Sequence, residues 1–198
     1  PPGPAPAGRG RRSRRSRHVD APRPAAGRDR VRVRRATTAD VATLQEIEVR
    51  AGRAFADVGL PEVAGDEPMP AAVLSAHAAD GRCAVAVADD DRAVGYVVVD
   101  RVDAHAHVEQ VSVDPDHQGQ GIGRLLMTWV EDWARADGRQ GVTLTTFRDV
   151  PWNAPLYEHL GYRVLAPDEV GPGLMTVVSE EAAQGLDPAT RVCMHKAL

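Results

Sequence analysis

The sequence predicts a single α/β (α+β) domain with a central mixed, mostly antiparallel sheet flanked by helices. The first supporting observation is the order of strand-like and helix-like segments, which runs β-α-α-β-β-β-α-β-α-β-β. The second is a run of consecutive strands between helical crossovers, which requires both antiparallel and parallel neighbours. The third is a length of 198 residues with 43% hydrophobic content, enough for one domain with a core. We expect this domain to occupy residues 30–198.

The strands are predicted from short apolar or alternating segments that are bounded by turn residues. Asp89-Asp90-Asp91 marks one such turn, and the segment after it is apolar nearly throughout, which is typical of a central strand. The predicted strands are 31–34, 83–88, 94–102, 104–113, 142–147, 162–165 and 191–196.

The helices are predicted from apolar residues spaced three and four apart and from start and stop signals. Gly59-Leu60-Pro61 interrupts the first helix, Asp80-Gly81 closes the second, and Gly161 ends the helix that begins at Asn153. The predicted helices are 38–55, 70–79, 121–136 and 153–160, with a short one at 174–183 inside a loop over 171–187.

Residues 1–29 differ from the rest of the chain in composition and charge. They hold eight arginines and two aspartates, a balance of +6, whereas the remainder has a balance of −10. With almost no apolar surface to bury, this segment does not offset its ordering entropy, so we expect a disordered Arg/Pro/Ala-rich tail. Such a tail can bind nucleic acid. The acidic body favours cationic partners, however, and a nucleic-acid partner is not expected.

Composition also limits the cellular setting. No apolar run approaches the roughly 20 residues that a membrane-spanning helix needs, so no membrane partner is expected. Cys83 and Cys193 lack metal-ligand spacing, and two buried reduced thiols suit a reducing compartment. We therefore expect a cytoplasmic protein. Abundant Arg, Ala, Gly, Pro and Asp favour a bacterial source.

The segment Val111–Trp129 organises the sequence. Its apolar alternation ends at Val113, and Asp114-Pro115-Asp116 breaks the strand because proline fixes its own φ and removes a hydrogen-bond donor. Three alternate glycines then lead into a helix: Gly119, Gly121 and Gly123. Glycines let a ligand approach the backbone closely, and the first N–H groups and the dipole of a helix favour an anion. The pattern predicts a bound diphosphate or a similar anion.

Two familiar phosphate-binding patterns do not fit this loop. A Walker-type loop ends in Lys followed by Ser or Thr, and Arg124-Leu125 stands there instead. The dinucleotide fingerprint needs a third glycine where Arg124 stands. What remains is Gln118-x-x-Gly121-x-Gly123 after Val-Asp-Pro. This spacing resembles the acetyl-CoA loop, Q/R-x-x-G-x-G/A, of the GNAT superfamily of N-acetyltransferases.

A second segment carries the same resemblance. Asn153-x-x-x-Tyr157-x-x-x-Gly161-Tyr162 is similar to the family pattern N-x-x-x-[F/Y]-Y-x-x-x-G-[F/Y], with Leu156 in the aromatic position that often precedes the tyrosine. The element order resembles that of the GNAT fold over about residues 30–198. The resemblance implies an enzyme, an acetyl-CoA-dependent N-acetyltransferase that transfers the acetyl group directly in a ternary complex.

The resemblance also implies where acetyl-CoA binds. In the family, the backbone amides of the loop receive the pyrophosphate, and the pantetheine arm pairs with the preceding strand. One amide of that strand donates to the thioester oxygen, and we place it near Ser112 or Val113. The implied cofactor-binding residues are Val111, Ser112, Val113, Gln118, Gly119, Gln120, Gly121, Ile122, Gly123, Arg124, Asn153 and Tyr157.

Tyr157 matches the family's usual acid, which protonates the departing thiolate. A tyrosine with a pKa of about 10 keeps its proton at neutral pH and can donate it. The alternative is a buried aromatic residue that packs under the sheet. Asn153 is expected to hydrogen-bond the cofactor arm, and the competing role for its side chain is the N-cap of the following helix.

The catalytic base is expected on the strand that leads into the loop. His105, His107 and Glu109 alternate there, so their side chains point to one face. Family members often keep a carboxylate on this strand. Glu109 is the only carboxylate of the three and is favoured, with His107 second; the alternative for each histidine is a solvated strand end. The three residues span about 14 Å, too far for one ion, so no metal is expected.

The acceptor site is expected between the first two helices and the loop before the last strand. Phe55 and Asp57 of the first connection, together with Glu109, are the candidate substrate-binding residues. The acidity of that connection favours a cationic acceptor, and we expect the primary amine of a small molecule. A homodimer stays open. The alternatives are a protein or peptide N-terminal acetyltransferase, which needs an open acceptor groove, and a CoA-binding sensor that has lost catalysis.

Overall fold

The computed structural model describes residues 31–198, which form a seven-stranded sheet with helices on both faces. The strands are β1 Arg32–Arg35, β2 Cys83–Val87, β3 Ala93–Val102, β4 His105–Val113, β5 Gly141–Phe147, β6 Arg163–Val164 and β7 Arg191–Ala197. The helices are α1 Val41–Gly52, α2 Pro61–Ala64, α3 Ala71–Ala79, α4 Ile122–Ala136, α5 Ala154–His159 and α6 Pro172–Ala183. The tail predicted at 1–29 lies outside the described residues. Within 31–198, no helix is long and apolar enough to cross a membrane.

The strands lie in the order β1-β2-β3-β4-β5-β7-β6. All neighbours are antiparallel except β4 and β5, which are parallel and joined through α4. A parallel pair needs a crossover of this kind, whereas short turns suffice to join β2, β3 and β4. The predicted mixed, mostly antiparallel sheet flanked by helices is therefore confirmed.

Two hydrophobic cores lie on opposite faces of the sheet, because side chains along a strand alternate. On one face, Leu126 and Val130 of α4 pack with Tyr157 of α5. On the other face, Leu44 of α1 packs with Leu74 of α3. All five of these side chains are buried, at 8% exposure or less. The sheet is thus held between two helical layers.

The first predicted helix ends earlier than its apolar spacing indicates. The sequence predicts a helix to Phe55, but the α-helix stops at Gly52 and continues as a 3₁₀ helix over Arg53–Val58. Tight 3₁₀ turns are common at helix ends. Gly59 closes this segment with a φ of +82°, which glycine adopts without strain. The interruption predicted at 59–61 is confirmed, although Pro61 then starts the short helix α2.

The last helix begins two residues before the predicted position, at Pro172 instead of Leu174. The carboxylate of Asp103 accepts hydrogen bonds from the Gly173 and Leu174 amides, at 2.9 and 3.1 Å. This carboxylate satisfies amides that a helix start otherwise leaves without partners. It comes from the β3–β4 turn, 70 residues away in sequence, so local spacing carries no sign of it.

Candidate functional site

The parallel strands β4 and β5 separate halfway along their length. Their pairing covers only Ala106–Val108 and Val142–Leu144. Beyond it, β4 stays paired with β3 as far as Val113, and β5 stays paired with β7 as far as Phe147. In the described sheet, the inner backbone edges of these two strand ends are therefore not paired with each other. Such edges can hydrogen-bond an extended ligand as an added strand.

A β-bulge lies where the two strands separate. Consecutive residues of β3 pair with Gln110 and Val108, so Glu109 is an extra residue without a partner in β3. The bulge shifts the alternation of side chains along β4. As a result, Val108 and Val111 pack on the same core although they are three residues apart. Glu109 is exposed at this point. The bulge therefore presents a carboxylate at the start of the gap.

The glycine loop follows directly from the end of β4. Gly119 and Gly121 have φ values of +72° and +82°, and Gly121 is the N-cap residue of the 15-residue helix α4. A Cβ atom added at either residue, or at Gly123, would meet no atom within 4 Å. The loop thus leaves open space in front of the first amides of a long helix, which is the geometry of an anion site. The loop-then-helix arrangement predicted for Val111–Trp129 is confirmed.

An arginine of α1 holds the start of this loop. Arg50 donates to the carboxylates of Asp114 and Asp116, at 2.6 and 2.8 Å. Asp114 is only 3% exposed, and it also accepts from the Asp116 amide at 2.9 Å. A buried carboxylate needs such partners. The turn that we assigned to a proline-induced break is therefore also fixed by a residue 64 positions earlier, which sequence spacing does not reveal.

Glu48 of α1 hydrogen-bonds the bulged part of β4 on the face of the sheet that α1 and α3 cover. Its carboxylate accepts from the Tyr96 hydroxyl of β3, from the Gln110 amide group at 2.8 Å and from the Met69 backbone at 3.1 Å. Tyr96 is fully buried, and a buried hydroxyl without a partner costs about 1–3 kcal/mol. The helical spacing that placed Glu48 in α1 gave no indication of this role.

The proposed acid and the asparagine before it lie on α5. Tyr157 is 8% exposed and packs edge-on against Tyr162, with 5.8 Å between ring centroids. Burial raises the pKa of Tyr157 to about 12, and the nearby positive charge of Arg191 opposes this in part. Tyr157 is thus a core aromatic residue whose hydroxyl group is protonated at neutral pH. Asn153 occupies the N-cap position, but its side chain makes no capping hydrogen bond.

The two candidate bases have opposite environments. His107 is 1% exposed, and its Nδ1 lies 3.1 Å from the Thr143 hydroxyl. Burial lowers the pKa of His107 to about 4, so the imidazole is neutral at pH 7. The pKa of Glu109 is raised, first by partial burial of its carboxyl group and then by the charges of Asp100 and Glu181. Of the two candidates, Glu109 is therefore exposed and His107 is buried.

His105 is two residues before His107, at the start of β4, and it lies away from the gap. Its ring packs edge-on against His195 of β7, with centroids 5.0 Å apart. Both rings lie over Gly141 of β5, where an added Cβ atom would come within 2.4 Å of the His195 ring. His105 and His195 line a pocket of about 200 Å³ near the start of α6. Residues 31–198 contain no group of three or more His, Cys, Asp or Glu side chains that could hold a metal ion.

Aromatic residues gather beside the far end of β5. Phe55 and Phe147 are the only phenylalanines of the chain, and their ring centroids lie 5.5 Å apart. Trp152 joins them, with its ring 5.9 Å from that of Phe55. Arg191 lies over the Phe147 ring at 4.7 Å. Phe55 was predicted as a substrate-binding residue. Phe147 at the end of β5, Trp152 in the turn before α5 and Arg191 at the start of β7 were not, because sequence spacing does not show that these segments converge.

A short polar network adjoins these rings. Arg191 donates to the Glu181 carboxylate at 2.6 Å and to the Thr145 hydroxyl at 3.1 Å. Thr145 also donates to Glu181. Asp57, the other predicted substrate-binding residue, is exposed on the 3₁₀ segment that carries Phe55. The site thus has an aromatic wall, a fixed ion pair and the exposed carboxylate of Glu109.

Comparison with known proteins gives a family match over the same region. The model of the acetyltransferase (GNAT) family matches residues 45–162, which include most of α1, the gap, the glycine loop and α5. An S-(2-succino)cysteine N-acetyltransferase from Bacillus subtilis (strain 168) is 34% identical over 73 residues, which cover 36% of this chain and 44% of that protein. The chain therefore matches less than half of the length of this curated relative.

Solved structures share the fold. An acetyltransferase of the GNAT family from Staphylococcus aureus Mu50 has a TM-score of 0.63 at 13% identity and covers 85% of this chain and 99% of its own. A PaiA N-acetyltransferase from Thermoplasma acidophilum, solved in complex with coenzyme A, has a TM-score of 0.59 at 15% identity. The match covers 85% of this chain and 99% of the PaiA chain. At these identities the likeness concerns the fold alone.

The buried imidazole of His107 predicts a loss of stability in acid. Its pKa is about 4 in the folded protein and about 6.5 in an unfolded chain, so the unfolded chain binds the proton more readily. The contribution of His107 to stability is therefore complete above pH 6.5, and it falls by about 3 kcal/mol as the pH drops from 6.5 to 4.

Urea unfolding between pH 4.5 and 7.5, for the native protein and for His107→Gln, measures this contribution. Glutamine can keep a hydrogen bond to Thr143 but does not titrate. We expect the variant to lose less stability than the native protein over this range. Parallel pH dependences in the two proteins would contradict a neutral buried His107.

Proposed function

The chain belongs to the acetyltransferase (GNAT) family, and from that membership we propose that it transfers an acetyl group from acetyl-CoA to a primary amine. The observation that carries this proposal is the gap between β4 and β5, which leads directly to the glycine loop at the start of α4. Acetyl-CoA has an extended pantetheine arm next to a diphosphate. These two parts suit a strand edge that is followed by an anion site. The coenzyme A complex of the PaiA N-acetyltransferase supports the same choice of ligand.

The residues of the gap and loop fit acetyl-CoA. The open space at Gly119, Gly121 and Gly123 admits a pyrophosphate close to the backbone, and the amides from Gln118 to Arg124 would receive it. The inner edge of Val111–Val113 would pair with the pantetheine arm. Because Asn153 makes no cap bond, its side chain is available to that arm.

Acetyl-CoA supplies the acetyl group as a thioester, and residues of this chain would supply the other functions. A backbone amide near Ser112 or Val113 would donate to the developing negative charge on oxygen. Glu109 would accept a proton from the amine, because its raised pKa keeps the carboxyl group within reach of protonation. Tyr157 would hold the proton that the departing sulfur receives.

Direct transfer in a ternary complex is supported by the state of the two thiols. Cys83 is fully buried, and burial raises its pKa to about 12. The pKa of Cys193 is also raised, first by burial and then by the charge of Glu181. A nucleophilic cysteine needs the opposite shift. Neither thiol is therefore proposed as an acetyl carrier.

The acceptor that we propose is a small molecule with a primary amine. Phe55 packs against both Phe147 and Trp152 beside the end of β5, and we infer that this cluster leaves less room for a peptide than an open groove does. Glu109 and the exposed Asp57 favour a cationic amine over a neutral one. The Bacillus subtilis relative, named for an amino-acid derivative, is consistent with a compact acceptor.

A charge introduced at the loop tests the acetyl-CoA site. Gly123 is the best position, because it lies inside α4 without positive φ and a side chain there meets open space. We expect Gly123→Glu to weaken acetyl-CoA binding about tenfold or more, since a like charge close to a diphosphate costs at least about 1.4 kcal/mol.

Calorimetry with the native protein, Gly123→Glu and the control Gln140→Glu measures this effect. Gln140 is exposed beyond the other end of α4, so its variant has the same charge change far from the loop. Equal affinities in all three proteins would remove the loop from the acetyl-CoA site.

Removal of one hydroxyl tests the acid. Tyr157→Phe should lower turnover about 100-fold or more, the usual effect of a lost general acid, with little change in acetyl-CoA affinity. The matched control is Tyr162→Phe, because Tyr162 is the buried ring packed against Tyr157 and its hydroxyl has no partner among the described residues. Comparable turnover in Tyr157→Phe and Tyr162→Phe, measured by release of free thiol, would exclude Tyr157 from this role.

A further inference from the structure

Helix α6 is held against the sheet by polar contacts at its two ends. Leu174 is its only buried side chain, so apolar packing contributes little to its position. At the start of the helix, two backbone amides donate to the carboxylate of Asp103. Near its end, the carboxylate of Glu181 contacts strands β5 and β7 through Thr145 and Arg191. Glu181 therefore fixes the last turn of α6.

These contacts are made at the part of β5 that borders the gap. The pairing of β5 with β4 ends at Leu144, and Thr145 is the next residue. Arg191 of β7 is the partner of Phe147, the last residue of β5. Glu181 is thus bound to two strands at the level where β4 and β5 have separated.

Glu181 and Arg191 form an ion pair that is largely removed from water. The Nη2 atom of Arg191 donates to Glu181 at 2.6 Å and to the Thr145 hydroxyl oxygen at 3.1 Å, and this hydroxyl donates to Glu181. The two charged side chains are 13% and 19% exposed. Among residues 31–198, Glu181 is the only carboxylate that forms an ion pair with Arg191. Loss of its charge would leave a poorly hydrated guanidinium group without a counterion.

Arg191 connects this ion pair to a series of aromatic rings. Its guanidinium carbon lies 4.7 Å from the centre of the Phe147 ring, the distance of a cation–π contact. Phe147 packs against Phe55, and Phe55 packs against Trp152. Phe147 is buried, whereas Trp152 is 40% exposed. These three rings form the aromatic wall of the site, and a continuous series of contacts runs from Glu181 to its exposed tryptophan.

We propose that Glu181 is a positioning residue, which acts through Arg191 to hold the aromatic wall in the arrangement that receives the acceptor. This inference rests on the proposed function, in which the wall lies beside the acceptor. Without the carboxylate charge, the guanidinium group is better stabilised in water than over the ring, so Arg191 leaves Phe147. The wall then loses its fixed geometry, and with it the fit to the acceptor.

The arrangement of the wall is measured at Trp152, by fluorine NMR of the whole protein labelled with 5-fluorotryptophan. The chain has three tryptophans, and the Trp152 signal is assigned by its loss in Trp152→Phe. Glu181→Gln keeps the shape of the side chain and an acceptor for Thr145 but removes the charge. We expect this variant to shift or broaden the Trp152 signal. The signals of Trp129 and Trp133 on α4 should stay unchanged, which also shows that the variant is folded.

The matched control is Asp137→Asn. Asp137 accepts from Arg101 at 2.6 and 2.8 Å, and the guanidinium carbon of Arg101 lies 5.3 Å from the centre of the Trp133 ring. This group has the same acid, arginine and aromatic ring, but it packs on the α4 side of the sheet. The control should therefore move the Trp133 signal and leave Trp152 unchanged. An unchanged Trp152 signal in Glu181→Gln, or an equal shift of Trp152 in Asp137→Asn, would overturn the positioning role.

A double-mutant cycle tests whether Glu181 acts through Arg191. The probe is the amine with the fastest turnover in a panel of primary amines from methylamine to 2-phenylethylamine. We expect Glu181→Gln to raise KM for this amine about threefold or more, the range for residues that interact, with smaller changes in kcat and in KM for acetyl-CoA. In the Arg191→Met background the same substitution should have little effect, because no guanidinium group remains to be released. Equal effects with and without Arg191 would contradict action through this arginine.

The two readouts separate this inference from the proposed function. If the native protein releases no thiol from acetyl-CoA with any amine of the panel, the proposed function fails, while the fluorine signals still decide whether Glu181 holds the wall. If thiol is released and KM for the amine is the same in Glu181→Gln as in the native protein, the proposed function stands and the positioning role is overturned.

Discussion

The separation of β4 from β5 after three paired residues is the constraint on which the site depends. The bulge at Glu109 shifts the course of β4 where the pairing stops, and each strand keeps its other neighbour, so the gap opens without loss of the sheet. Backbone groups on the gap's inner edges are not paired across the gap, so they can pair with a ligand or with water. The glycine loop lies at the end of one of these edges, so a ligand that pairs along the strand reaches the start of α4.

Helix α1 stabilises this opening through side-chain hydrogen bonds from one side. Arg50 holds the turn before the glycine loop, and Glu48, two residues earlier, holds the bulged part of β4. One helix therefore fixes both ends of the segment that would contact acetyl-CoA. The acids near the gap follow a common pattern: Asp100, Asp114 and Glu181 are each bound to an arginine, whereas Glu109 is not. Glu109 is exposed, and it is the carboxylate that we propose meets the amine.

Much of the fold could be predicted from the sequence, because strand and helix periods are local. The sheet type and the loop before α4 agree with these predictions, and the family resemblance from Gln118, Gly121 and Gly123 agrees with the family match. Features that depend on distant contacts could not be predicted. The bulge appears only when β4 is paired with β3, and the early start of α6 depends on Asp103. The Phe55–Phe147 contact joins segments 92 positions apart.

Amide hydrogen exchange with and without acetyl-CoA tests the central claim most directly, because it reports on the backbone edge itself. We expect slower exchange at residues 109–113 and at 119–123 when acetyl-CoA is present, with the β1–β2 pair unchanged as an internal reference. Protection confined to other surfaces, with residues 109–113 exchanging at their original rates, would contradict the view that the opened edge of β4 is where acetyl-CoA binds.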